Sequence, residues 1–125
     1  MNPYASPNAY RENSILTASP EQLVVMLYDG AGRFLRQAEG CMIDGSWLQA
    51  SEKLTRAEAI IDELLATLDM DAGEVADRLQ SIYVFCKTRL IEARIERDAT
   101  RVDQVARLLG ELRDAWSQVR SPAVA

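Results

Sequence analysis

The chain has 125 residues, 48% of them apolar and 26% charged, with a net charge of −5 and no histidine. That balance suits one globular domain and not a disordered chain. The negative charge argues against nucleic acid, whose phosphates need a clustered basic surface, and against anionic membranes. Without histidine there is no Ser-His or Cys-His nucleophilic pair, no histidine metal site and no Glu-x-x-His di-iron bundle.

Residues 1–18 hold two prolines, three asparagines and two tyrosines and show no helical period. They read as an extended N-terminal arm. No basic start or apolar core of a signal peptide is visible there, and no apolar run approaches bilayer length. The expectation is therefore a cytoplasmic protein without membrane insertion.

The first helix opens at Ser19-Pro20-Glu21-Gln22, a capping box with proline at the first helical position. Leu23, Leu27, Ala31, Phe34, Ala38 and Cys41 then recur at helical spacing and predict its buried seam. Asp44-Gly45 ends it near Ile43. Ser46 and Gln49 offer a second capping box, followed by the seam Trp47, Ala50, Leu54, Ala57, Ile61, Leu64 and Leu68. Asp71, with Glu74 three residues on, opens a third helix, whose seam is Val75, Leu79, Ile82, Cys86, Leu90 and Ala93. Thr100 caps a fourth, with Val102, Val105, Leu109, Leu112, Trp116 and Val119 inward and Ser121-Pro122 as its stop.

Four long helices on short links fold as antiparallel neighbours. The expected fold is all-α: an up-down four-helix bundle over 19–120, with the arm at 1–18 and a frayed tail at 121–125. Cys41 and Cys86 form no CxxC pair and read as reduced, partly buried thiols.

Several apolar residues lie off these seams. They are Val24, Tyr28, Leu35 and Met42 on the first helix, Ile60 and Leu65 on the second, and Val84, Ile91 and Ile95 on the third. A wide core face accounts for most of them; a groove for a partner helix is the functional alternative. The charges at Glu58, Asp62, Glu63, Arg89, Glu92, Arg94, Glu96 and Arg97 read as solvated faces with i,i+3 and i,i+4 partners, not as catalytic pairs. Asp29-Gly30-Ala31-Gly32 lacks the Lys-Ser/Thr of a phosphate loop; its glycines suit a close helix approach instead.

Asn2-Pro3-Tyr4, Tyr10, Asn13-Ser14-Ile15 and the string Thr17-Ala18-Ser19-Pro20 through Leu23 to Met26-Leu27-Tyr28-Asp29-Gly30 resemble the FliS family of flagellin export chaperones. Arg89-Leu90-Ile91-Glu92-Ala93 and Arg113-Asp114-Ala115-Trp116 extend the match downstream. The chain departs from the family pattern at Arg94, at Tyr83-Val84-Phe85-Cys86 and at Ala72-Gly73.

The resemblance implies a secretion chaperone, not an enzyme, with no cofactor. It would bind the disordered C-terminal segment of flagellin in the cytoplasm, prevent premature polymerisation and support type III export. An anti-sigma factor and export-gate components are further candidate partners. An arm carrying Tyr4, Tyr10, Ile15 and Leu16 would cap the bundle and move when cargo binds. The cargo helix is placed against Ile60, Leu64, Val84, Ile91 and Ile95. A helical adaptor for another flagellar or type III cargo, or for an anti-sigma regulator, is the alternative. Monomer and homodimer are both left open.

Overall fold

The computed structural model describes residues 18–118. Helix α1 spans Pro20–Ile43, α2 Trp47–Thr67, α3 Glu74–Glu96 and α4 Ala99–Ser117, with a single 3-10 turn at Met70–Ala72 between α2 and α3. The helices pack in a ring in which each touches its neighbours in sequence and α4 closes back on α1. The all-α four-helix bundle expected from the sequence is the observed fold.

Local chemistry sets the ends. The Ser19 hydroxyl accepts from the Gln22 N–H, and the Gln22 side chain accepts from the Ser19 N–H, so the first capping box is complete. At the other end of α1 the Gly45 N–H donates to the Met42 carbonyl and the Ser46 N–H to the Cys41 carbonyl. This paired closure requires a left-handed residue, and Gly45 supplies it at φ +79°. Three other start signals work differently from expectation. Ser46 makes no side-chain cap bond. Asp71 lies in the 3-10 turn, and α3 starts only after Gly73, at φ +78°. The cap of α4 is Asp98, whose carboxylate accepts from the Thr100 N–H.

The core is a continuous apolar column fed by all four helices. On α2 and α4 the middles of the expected seams point inward: Ala50, Leu54, Ala57, Ile61 and Leu64, and Val102, Val105 and Leu109, are all buried. Trp47, Leu68, Leu112 and Trp116 at the ends are partly buried, and Val119 lies outside the described residues. On α1 the axis-facing residues are Tyr28, Ala31, Leu35, Ala38 and Met42. The expected seam residues Leu27, Phe34 and Cys41 are only partly buried. Both lines belong to one wide apolar arc. The structure turns its Tyr28–Met42 edge to the bundle axis and its Phe34 edge towards α2. On α3, Val75 is 65% exposed despite its place in the seam, because the first turn faces the core through its neighbour Ala76 instead.

Small side chains decide how closely helices meet. A Cβ at Gly30 would sit 3.2 Å from Ile60 Cδ1, so glycine there admits the α2 side chain. Cys41 and Cys86 are both free thiols. Among the described residues, no helix is long and apolar enough to cross a membrane.

Candidate partner-binding surface

Helix α3 is built differently from the other three. Its inward face carries Ala76, Tyr83, Cys86, Leu90 and Ala93. Its outward face is also apolar: Val84 and Ile91 are each 50% exposed and Ile95 77%. Spacings of 7 and 4 place these three on one line, opposite the core residues. A bundle helix normally presents polar residues outward, so a line of three branched aliphatics in water is the informative departure.

Ion pairs fence this line on both sides. Towards α2, Lys87 pairs with Asp62, and the Arg94 guanidinium reaches Glu58 at 2.8 Å and the Ser51 hydroxyl at 2.5 Å. Towards α4, Arg101 pairs with Glu92 and, at 2.9 Å, with Glu96. The charges of α3 therefore join helices at the bundle rim; Arg89–Glu92 is the pair that follows the i,i+3 spacing expected along the helix. These pairs are partly solvated and contribute little each, roughly 0–1 kcal/mol. Their main effect is positional: they hold α3 in register and leave its outer line uncovered. Phe85, 46% exposed, lies on the α4 flank with the Arg89 guanidinium 5.0 Å from its ring centre.

Under the line, the Tyr28 and Tyr83 hydroxyls hydrogen-bond to each other in the buried core. This bond crosses the bundle from α1 to α3, where the backbones are not direct neighbours. Burial pushes both phenols above their usual pKa of 10.0, and Cys86 next to them is pushed up to about 12. All three are neutral at ordinary pH. The expected seam ran through Ile82, but Tyr83, four residues after Leu79 and three before Cys86, fits the same helical spacing and is the residue turned inward, while Ile82 is only partly buried.

The five residues expected to line one groove do not come together. Val84, Ile91 and Ile95 share the outer face of α3. Leu64 is fully buried in the core and is unavailable to a partner. Ile60 is half-buried on the α1 flank of α2, against Gly30, whereas α3 packs on the Glu58–Asp62 flank. The reason is helical geometry: Ile60 and Asp62 are about 200° apart on the same helix. The arm residues Tyr4, Tyr10, Ile15 and Leu16 lie outside the described residues. Among the described residues no group of three His, Cys, Asp or Glu side chains is placed to hold a metal ion.

Fold and surface together define a helical bundle with one unpartnered apolar helix face, the build of a module that binds a protein segment. Comparison with known proteins gives the family. The model of the family described as "Flagellar protein FliS" matches residues 1–123. The chain is 36% identical over 114 residues to the flagellar secretion chaperone FliS of Salmonella typhimurium, covering 90% of this chain and 84% of that one. It is 34% identical over 118 residues to that of Bacillus subtilis, covering 94% and 86%. This chain belongs to the FliS family of flagellar secretion chaperones. A crystal structure of a flagellar chaperone from bacteria shares the fold, with a TM-score of 0.74 at 20% identity over 88% of this chain and 93% of that one.

Proposed function

We propose that this chain binds the disordered C-terminal segment of newly made flagellin in the cytoplasm, keeps it from polymerising and supports its type III export, without a chemical step. The observation that carries this reading is the exposed Val84–Ile91–Ile95 line on α3. A disordered cargo loses conformational entropy when it orders, and only a long apolar contact offsets that loss. A cargo helix laid along α3 would bury roughly 800 Å² on this side, an ordinary size for a recognition surface. Apolar residues at i, i+7 and i+11 match the repeat by which one helix lies against another.

The test is calorimetric titration with a flagellin C-terminal peptide. Binding with a large negative heat-capacity change is expected, because apolar burial is coupled to folding of the peptide. The double substitution Ile91→Asp/Ile95→Asp should weaken binding at least about a hundredfold, two buried aliphatics being worth roughly 3 kcal/mol together. Unchanged affinity in this variant would remove α3 from the site. The arm is assigned the role of a cover for the apolar surface. Deleting residues 2–14 should then raise peptide affinity and lower the solubility of the free protein; no change in either measurement sinks the cover.

A further inference from the structure

The opposite flank of the bundle carries a second surface of different chemistry. Of the chain's fourteen lysines and arginines, Arg11 and Arg120 lie outside residues 18–118. Eight of the others stand in ion pairs. The four without a carboxylate within 4.0 Å, among the described residues, are Arg33, Lys53, Arg56 and Arg97. Arg97 sits over the Trp47 ring at 4.8 Å, at the far end of α3. The remaining three gather at one place.

That place is the outer seam between α1 and α2. Lys53 Nζ and the Arg56 guanidinium each lie 5.7 Å from the centre of the Phe34 ring. The Arg33 guanidinium reaches back along α1 to within 4.0 Å of where a Gly30 side chain would begin, beside Ile60 Cδ1. Phe34 and Ile60 are only partly buried, and Arg33 and Arg56 are exposed. Glu58, two residues from Arg56, is turned to the other flank of α2 and committed to Arg94.

Glu52 and Glu63 lie one and two turns from Arg56 on the same side of α2, yet among the described residues neither comes within 4.0 Å of the three cations. Cations left out of ion pairs around a partly buried aromatic point to a recognition patch. We infer that this α1–α2 seam, with Phe34 and Ile60 ringed by Arg33, Lys53 and Arg56, is a second docking surface, taking a protein segment that presents an apolar residue flanked by carboxylates.

Charge complementarity selects the occupant. Residues 1–17 of this chain carry one cation, Arg11, and one anion, Glu12, so that segment brings no net charge to the patch. Anionic membranes are gripped by runs of about 4–8 basic residues, more than the three here. Nucleic acid affinity rises with each phosphate neutralised, and a net negative chain repels a long polyanion. A short acidic segment needs only local cations and gains from the apolar pair between them. The surface is on a different flank from the α3 line, so the two can be occupied together, whatever α3 takes.

The test uses fluorescence anisotropy of the full chain with two short designed helical peptides. One carries Leu flanked by Glu one turn away on each side; the other has Lys in place of each Glu. The Glu peptide is expected to bind at least about tenfold tighter than the Lys peptide, and to weaken as salt rises. Lys53→Glu/Arg56→Glu should reverse that preference, and the milder Lys53→Gln/Arg56→Gln should abolish it, each with an unchanged helical circular dichroism spectrum. Ile91→Asp/Ile95→Asp should leave it intact. Equal affinity for the two peptides, or no binding of the Glu peptide, overturns the inference. So does tighter binding of polyuridylate or of phosphatidylserine vesicles than of the Glu peptide, or loss of the preference in the Ile91→Asp/Ile95→Asp variant.

Discussion

Helices α1 and α3 stand diagonally across the same bundle and solve the packing problem in opposite ways. Helix α1, with Gly30, Ala31 and Ala38 among its buried residues and Gly30 facing Ile60 of α2, lies close to both α2 and α4. Helix α3, whose interior side is Ala76, Tyr83, Cys86, Leu90 and Ala93, stands further from both neighbours. Its register is kept by rim ion pairs and by the buried Tyr28–Tyr83 bond. Close packing leaves no spare apolar surface on α1 facing the axis. The stand-off helix, by contrast, has enough apolar residues to supply the core and still leave a line in water. The helix proposed to bind a partner is thus the one least fused to the scaffold, and the others hold it in place.

The largest effect that would break this comparison comes from truncating matched core leucines. Leu54 and Leu90 are both fully buried, Leu54 on α2 and Leu90 on α3. Leu→Ala in a core costs about 2–5 kcal/mol, the spread reflecting how far the site collapses. Leu54→Ala, in the tightly held half, should lie near the top of that range, about 4 kcal/mol, and Leu90→Ala nearer about 3 kcal/mol. Urea unfolding measures both. Equal losses would mean α3 is as rigidly packed as α2, the close neighbour of α1.

A middle-sized effect concerns the tyrosine pair. Tyr28→Phe or Tyr83→Phe leaves one buried hydroxyl without its partner and should cost about 1–3 kcal/mol. The double variant should cost less than the sum, because neither hydroxyl then remains to be satisfied. The same pair sets an alkaline limit. Tyr28, Tyr83 and Cys86 have folded pKa values raised by burial above 10.0, 10.0 and 9.0. Between the unfolded and folded values the native state holds more protons than the unfolded one, so stability falls as pH rises. Their contribution is complete below about pH 9 and is lost progressively above it. Unfolding midpoints from pH 8 to 11 should show this decline, and Tyr28→Phe/Tyr83→Phe should remove the part that sets in above about pH 10, leaving the earlier part due to Cys86.

The smallest effect on stability should come from the outer face of α3. Ile91→Asp/Ile95→Asp, which is expected to disable cargo binding, should change the unfolding free energy by only about 1 kcal/mol, mostly from lower helix propensity. A loss several times larger would place these residues in the core's service and not the partner's.

Helix number, the α1 boundaries and the inward faces of α2 and α4 were legible from the chain alone. A capping box, a Gly turn and a 3.6-residue period are local, and local chemistry decides them. The caps of α3 and α4 were less legible, because Asp69, Asp71, Asp98 and Thr100 are all competent caps and only backbone geometry chooses. The α3 line Val84–Ile91–Ile95 was visible as a surplus of apolar residues, but its separation from Ile60 and Leu64 was not. Periodicity says which residues share a helix face; it does not say which neighbour that face meets. On α1, apolar on a wide arc, the sequence could not tell the Phe34 edge from the Tyr28 edge. Tertiary structure decided that by giving α1 two close neighbours and one distant diagonal partner, and so placed two tyrosines together inside and, outside, three cations that pair with no carboxylate among the described residues.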